Sequence, residues 1–96
     1  MNHSLILHHV DDSVGVAIRD LESGERLDGA VVGDEKIVAD IQIVQDIPFG
    51  HKVAVVLIPD GDMVIEYGLP IGRASETIER GQLVHTQNLG SMRWAR

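Results

Sequence analysis

Short apolar runs with a two-residue period constrain this chain more than any other feature. In residues 14–18 the larger side chains fall on alternate positions, and residues 37–43 repeat the pattern with Asp40 and Gln42 between the apolar positions. Gly, Pro or Asp interrupts these runs at short intervals. Alternation of this period predicts half-buried β-strands, and the closely spaced turn residues predict an all-β domain.

Three later segments complete the predicted strands. Residues 52–58 are β-branched and apolar on both sides, which predicts a strand at the centre of the fold. Residues 63–67 and 70–74 follow as two further strand candidates. The expected product is a small domain with short strands.

Turn residues separate the predicted strands. Residues 22–25 and 59–62 each contain a glycine together with Ser or Asp. This composition predicts that the chain reverses direction there between two strands that pair with each other. Residues 75–80 are the one place where a short helical turn is expected, with Ser75 as its cap. Neither a linker nor an internal repeat is predicted, so residues 1–96 are expected to form a single domain.

Composition narrows the classes of partner. Fifteen acidic residues stand against eight basic ones, and the formal net charge of −7 repels a phosphate backbone, which argues against nucleic acid as a partner. The chain has no cysteine, which excludes disulfides and thiolate metal sites. No apolar run approaches the length of a membrane span, so no membrane partner and a cytoplasmic location are expected.

Five histidines are many for 96 residues. His51 and His85 lie at predicted strand edges beside glycine-permitted backbone, and His9 precedes Asp11 and Asp12 at another strand entry. Imidazole near carboxylate is the chemistry of a divalent iron, manganese or zinc site, and also of acid–base catalysis near neutral pH.

A structural interpretation of these histidines stays open beside the functional one. The chain has no HxxxH or HExxH spacing, and a single histidine at a strand end is often a surface or hydrogen-bonded residue. His3 and His8 are expected in a frayed terminus. Solvated turn positions are expected for the acidic residues Asp11, Asp12, Asp34, Glu35, Asp60 and Asp62.

The C-terminal residues 90–96 fit no periodic segment. They include Trp94, and an aromatic side chain outside any element predicts a tail that docks onto this domain or onto another subunit.

Four stretches carry a specific resemblance to a known family. They are Ile-Pro-Phe-Gly-His-Lys-Val-Ala at 47–54, Glu-Tyr-Gly-Leu-Pro-Ile-Gly-Arg-Ala at 66–74, Gly-Gln-Leu-Val-His-Thr-Gln-Asn-Leu at 81–89 and His-Val-Asp-Asp-Ser-Val-Gly-Val-Ala at 9–17. Together they resemble the SAF domain of the altronate and galactarate dehydratase family. Along the chain the four stretches follow the same order as in that family, and the resemblance covers most of the chain.

The resemblance implies a SAF-type β-clip domain that works with a separately encoded large catalytic subunit. Such two-component lyases eliminate water from sugar acids or, in sulfolactate sulfo-lyase, sulfite from a hydroxy-sulfonate. A divalent metal, iron or manganese, is implied as cofactor, held by this chain or by the partner subunit. The chain alone is expected to be inactive and to form a homo-oligomer, since unpaired strand edges find partners.

The resemblance also implies roles for single residues. His51 and His85 are the expected catalytic residues, and with His9 they are the expected metal ligands. Lys52, Tyr67 and Asn88 are the expected substrate contacts. The three imidazoles are expected to share one recess that the partner subunit completes.

Departures from the family pattern keep a second hypothesis open. Val10 replaces a proline, Ser13 an asparagine, Glu66 a lysine and Gln87 a histidine. Gln is a poor transition-metal ligand compared with imidazole, and Glu66 reverses a charge that would meet an anionic substrate. The alternative is a non-catalytic module that binds a sugar acid or assembles with a larger dehydratase-type partner.

Overall fold

Two sheets of short strands make up the domain in the computed structural model, which describes residues 4–91. The strands are β1 Leu5–Leu7, β2 Val14–Ala17, β3 Arg26–Val31, β4 Ile37–Gln42, β5 Lys52–Ala54, β6 Met63–Glu66, β7 Leu69–Ala74, β8 Leu83–Val84 and β9 Leu89–Gly90. No helix occurs within these described residues, which confirms the all-β prediction.

The larger sheet has the strand order β4-β3-β1-β2-β5-β8, and the smaller has the order β6-β7-β9. β1 and β3 are parallel, and the other neighbouring strands are antiparallel. The larger sheet curls into a half-barrel. β5 lies between β2 and β8, so it is an interior strand of this sheet.

A short backbone motif, which we call a corner, occurs four times within residues 4–91. In each corner a small or aliphatic residue is followed four positions later by a buried aliphatic residue and seven positions later by a glycine with positive φ. Such φ values favour glycine, which has no Cβ to collide with the backbone. The corners span residues 17–24, 43–50, 54–61 and 74–81.

Corners associate in two reciprocal pairs. Leu21 and Ile47 bridge the first pair, and Ile58 and Ile78 bridge the second. In each pair the glycine N–H of one corner donates to the carbonyl at the start of the other, at 2.7 to 2.8 Å. The chain therefore contains an internal repeat, contrary to the prediction, and the repeat was missed because only three positions of each corner are constrained.

Each pair of corners encloses one hydrophobic core. The first core holds Leu5, Leu7, Ala17, Leu21, Val31, Ile41, Ile43, Ile47, Val53 and Val55. The second holds Val14, Ala54, Ile58, Val64, Ala74, Ile78 and Val84. β5 separates the cores, because Val53 and Ala54 point to opposite faces of the strand.

Three local predictions need correction. Residues 75–80 form no helical turn, because Ile78 pairs with Ile58 across the second pair of corners. The turns at 22–25 and 59–62 exist, but the strands that flank each of them pair with other strands. The predicted strand 52–58 ends at Ala54, where the chain turns into a corner.

The predicted docking tail lies mostly outside the described residues, since Trp94 and the other residues of 92–96 are not described. Residues 4–91 contain no helix with the length and apolar character needed to cross a bilayer.

An ion pair reinforces the first corner. Arg19 donates two hydrogen bonds to Glu25, at 3.2 and 2.7 Å, and the same carboxylate accepts the N–H of Glu22 at 2.7 Å. The guanidinium, followed by the Glu22 N–H, holds the pKa of Glu25 below its ordinary value. Conversely, the hydrogen bond to Glu25 raises the pKa of Arg19.

The corner geometry predicts unequal costs for two glycine substitutions. A Cβ on Gly81 would collide with the carbonyl oxygen of Gln42, whereas a Cβ on Gly24 meets open space, and both residues have positive φ. Gly81→Ala should lower the free energy of unfolding by about 3 kcal/mol or more, and Gly24→Ala by about 1 kcal/mol. Urea unfolding measures both, and equal losses would contradict the close approach at Gly81.

Glu25→Gln should have a small effect that depends on pH. A carboxyl whose pKa is lowered in the folded state contributes stability above its unfolded pKa and loses it as the pH falls through the folded value. The wild-type advantage should be under about 1 kcal/mol at pH 7, because solvent reaches both side chains of the pair, and should decline as the pH falls below the ordinary glutamate pKa of about 4.3. Urea unfolding of both proteins at a series of pH values from 7 downward measures this stability difference. The matched control is Glu76→Gln, and a pH dependence of the same size there would contradict the assignment to Glu25.

Candidate functional site

Two histidines predicted from sequence meet across neighbouring strands. The register of β5 with β8 pairs Lys52 with Val84, which places His51 opposite His85 at the end of the ladder. Their ring centroids are 5.2 Å apart and the planes are tilted by 37°. His51 is half-buried and His85 is exposed. We call these two side chains the imidazole pair.

Local hydrogen bonds fix the backbone beneath the pair. His51 directly follows the glycine of the corner 43–50, and its carbonyl accepts the N–H of Ala17 at 2.9 Å. The N–H of His85 donates to the Asn88 side chain at 2.9 Å, and the amide nitrogen of Asn88 donates to the carbonyl of Leu83 at 2.7 Å. Asn88 is fully buried and closes this turn. Its predicted contact with substrate stays a prediction.

A second group of polar side chains surrounds Glu66. Its Oε1 lies 3.6 Å from Nζ of Lys52, and its Oε2 lies 4.0 Å from Nε2 of His8. The ring of His8 stacks on Tyr67, with centroids 4.0 Å apart and planes 7° from parallel. We call these four residues the Glu66 cluster.

Asp12 builds the turn that presents Tyr67. Tyr67 and Gly68 form the two-residue loop between β6 and β7, and both have positive φ. The carboxylate of Asp12 accepts both of their N–H groups, at 3.0 and 2.9 Å, while the Ser13 hydroxyl accepts the N–H of Ile65 at 3.0 Å. Asp12 is buried, so its prediction as a solvated turn residue is wrong.

His9 belongs to the same region as the Glu66 cluster. A Cβ added to Gly68 would lie 3.3 Å from the His9 ring, so the ring packs against this glycine. The Nδ1 atom of His9 accepts the N–H of Asp11 at 3.1 Å. Of the three imidazoles that were expected to share a recess, the structure brings His51 and His85 into ring contact and places His9 against the β6–β7 loop.

The two groups lie on opposite faces of β5. Alternation along the strand puts His51 on the face of Val53, in the first core, and Lys52 on the face of Ala54, in the second. Glu66 likewise shares the face of Val64 on β6. The imidazole pair thus lies at the rim of the first core, and the Glu66 cluster at the rim of the second.

No set of three or more His, Asp or Glu side chains in residues 4–91 is placed to hold a metal ion. In the described part of the chain, the rim with the imidazole pair holds two imidazoles. A catalytic metal centre usually takes three ligands from its protein, so this rim supplies fewer than that number. Metal binding by His9, His51 and His85 stays a prediction.

A cleft of about 300 Å³ lies elsewhere, at the bridge of the first pair of corners. Its lining includes Asp20, Glu22 and Asp46, and none of the predicted site residues. Three carboxylates repel an anionic substrate, so the chemistry of this cleft does not suit a hydroxy acid.

Sequence reasoning missed His8, Glu66 and Asp12. His8 was assigned to a frayed end, although it directly follows the apolar triplet that forms β1. Glu66 alternates with Val64 along its strand, and this period was the available signal that its side chain points inward. Asp12 gave no local signal, because its hydrogen-bond partners are more than fifty residues away.

The fold and these clusters define a class: a small all-β domain of paired corners that presents acid–base side chains at the open rims of two cores. Within that class, the sequence profile of the altronate/galactarate dehydratase SAF domain matches residues 3–92. The chain belongs to this family, as the resemblance implied.

Similar proteins fall into two groups by length. The chain is 33% identical over 95 residues to (2R)-sulfolactate sulfo-lyase subunit alpha of Chromohalobacter salexigens, covering 98% of this chain and 100% of that protein. It is 39% identical to altronate dehydratase of Bacillus subtilis, covering 88% of this chain but 16% of that protein. For altronate dehydratase of Escherichia coli the identity is 41%, with 83% and 15% covered.

The role of Asp12 predicts a large effect from a single substitution. Asp12→Ala removes two hydrogen bonds from the β6–β7 loop and should lower the free energy of unfolding by about 3 kcal/mol. The amides of Tyr67 and Gly68 should then exchange faster with solvent, measured by hydrogen exchange. The control is Asp11→Ala, with a side chain that is 81% exposed. Unchanged protection of both amides would contradict the assignment.

Proposed function

We propose that this chain is the small subunit of a two-component lyase that eliminates water or sulfite from a sugar acid or a related small hydroxy acid. The observation that carries the proposal is the match along the whole length of a sulfo-lyase subunit alpha. The two altronate dehydratases contain a similar segment as about a sixth of a longer chain. In this proposal, a larger, separately encoded catalytic subunit takes the place of the remaining part of those longer chains.

The imidazole pair suits the chemistry of elimination. Removing a proton next to a carboxylate builds negative charge on an enediolate, which fixed donors must stabilise while the leaving group departs. A neutral imidazole both donates and accepts a hydrogen bond. His51 and His85 therefore supply a donor for the enediolate and an acceptor for a proton at one rim. Lys52 and Tyr67 serve as contacts for the substrate's acid group.

An open rim calls for a partner subunit. Ligand pockets normally enclose about 70–90% of a small ligand, whereas His85 is exposed and directly follows the edge strand β8. We therefore place the substrate between this rim and the larger subunit. The proposed location of the complex is the cytoplasm. In isolation the exposed strand edges make the chain a homo-oligomer. The divalent metal, iron or manganese, is assigned to the larger subunit, because no set of three or more His, Asp or Glu side chains in residues 4–91 is placed to hold it.

A specific observation favours the alternative of a non-catalytic binding or assembly module. Asn88 is bonded to the backbone at both ends of its amide, and Lys52 faces Glu66. Two of the expected substrate contacts are thus engaged within the chain. In this alternative the domain orients the larger subunit and the imidazole pair is structural.

Reconstitution with the larger subunit separates these hypotheses. Elimination of altronate and of sulfolactate is measured for the larger subunit alone, with the wild-type chain and with His51→Gln/His85→Gln. The wild-type chain should be required for turnover, and the double variant should lower kcat about 100-fold or more. Arg26→Gln, at an exposed ion pair, is the matched control.

The outcomes are distinct. Turnover by the larger subunit alone would contradict the proposed function. A double variant that binds the larger subunit and keeps wild-type turnover would instead support the assembly module.

A further inference from the structure

One edge of β7 is only partly covered in the part of the chain that the structure describes. Along this edge β9 runs antiparallel to β7 and pairs with it at two positions, Gly90 opposite Arg73 and Leu89 opposite Ala74. The other residues of β7, 69–72, have no strand beside them on this edge among the described residues. An unpaired strand edge is a place where a further strand can add to a sheet.

The uncovered part of β7 carries exposed apolar side chains. Leu69 is 64% exposed and Ile71 is 37% exposed. A register shift between β6 and β7 leaves Ile71 without an opposite residue on β6. Tyr67, in the adjoining loop, is 63% exposed. Apolar surface thus lies open to solvent on this part of the smaller sheet.

The direction of β9 leads toward these side chains. Because β7 and β9 are antiparallel, the direction of the chain at Gly90 is toward Leu69. A Cβ on Gly72 would collide with the carbonyl oxygen of Gly90, so the backbone at the end of β9 lies directly against β7. The close approach of the two strands is therefore already set where β9 ends.

The register identifies the residues that would meet. Counting onward along the register of β7 with β9, Met92 falls opposite Ile71. Trp94 then falls opposite Leu69. At a rise of about 3.4 Å per residue, the four steps from Gly90 to Trp94 cover about 14 Å, which matches the same number of steps along β7. Apolar pairs across neighbouring strands stabilise a sheet, and this register gives both exposed side chains an apolar partner.

Residues 92–96 of the same chain suit this edge better than a second copy does. Pro70 has no N–H to donate, and a proline on an edge strand weakens it as a template for a foreign strand. A segment that follows β9 is tethered beside the edge, so its effective concentration there is high. Its two arginines are also attracted to a chain whose formal net charge is −7.

We propose that residues 92–94 extend β9 along the uncovered edge of β7. Met92 packs on Ile71. Trp94 packs on Leu69 and lies next to the β6–β7 loop. The occupant of this edge is thus the tail of the same chain, and the inference does not depend on the proposed function.

Fluorescence of the full chain measures the docking, because Trp94 is its only tryptophan. The acrylamide quenching constant of the folded protein should be about threefold or more below that of the urea-unfolded protein. Leu69→Ser/Ile71→Ser should raise it to near the unfolded value, while the amide NMR spectrum shows that the fold is retained. The matched control is Val32→Ser, at a 58% exposed side chain after β3, which should leave the constant unchanged.

NMR identifies the contact and the chain that makes it. Nuclear Overhauser effects are expected between the indole ring of Trp94 and the methyl groups of Leu69, and between the side chains of Met92 and Ile71. In a mixture of isotope-labelled and unlabelled chains, isotope-filtered spectra separate contacts within one chain from contacts between copies. All of these contacts should lie within one chain.

Several results would overturn the inference. A quenching constant equal to that of the unfolded protein would show that Trp94 is not docked, and an unchanged constant in the double variant would show that it docks elsewhere. Contacts between copies would make a second chain the occupant. Protection of Trp94 that arises only on addition of the larger subunit would make that subunit the occupant. None of these measurements uses a substrate, so failure of the proposed function is distinguishable from failure of this inference.

Discussion

The reciprocal hydrogen bonds between paired corners are the constraint on which the rest of this structure depends. The glycine N–H of each corner donates to the carbonyl of the first residue of the partner corner, and the carbonyl of the residue after that glycine accepts the N–H of the same first residue in return. The exchange requires positive φ at the glycine, and at Gly81 it also requires the absence of a Cβ. Because both corners of a pair must form together, residues far apart in sequence become fixed neighbours.

The corners also determine where the imidazole pair lies. The residue after each corner glycine is polar, but in only one corner of the described chain is it a histidine, and that histidine meets a second imidazole across β5 and β8. Its neighbour Lys52 turns to the other face and meets Glu66. One strand thus separates two groups of polar residues, although His51 of one group and Lys52 of the other are adjacent in sequence.

The charge at the rim of the second core differs from that of the chain as a whole. The formal net charge is −7, yet the Glu66 cluster pairs its single carboxylate with an ammonium and an imidazole. The three carboxylates that line the cleft at the first pair of corners, and that would repel an anion, lie at another part of the surface. Local compensation therefore makes this rim compatible with a carboxylate ligand in spite of the overall charge.

The sequence by itself determined the all-β class, the family, and several strands, because alternation along a strand and the glycines at turns are local properties of the chain. Residues 14–18 and 63–67 were predicted within a residue of β2 and β6. Only the tertiary structure decided which strands pair, that residues 75–80 form a corner instead of a helical turn, and that His51 meets His85 while His8 meets Glu66. Those outcomes depend on hydrogen bonds and packing between distant segments, such as Asp12 with the loop at Tyr67, and no local pattern encodes a partner more than fifty residues away.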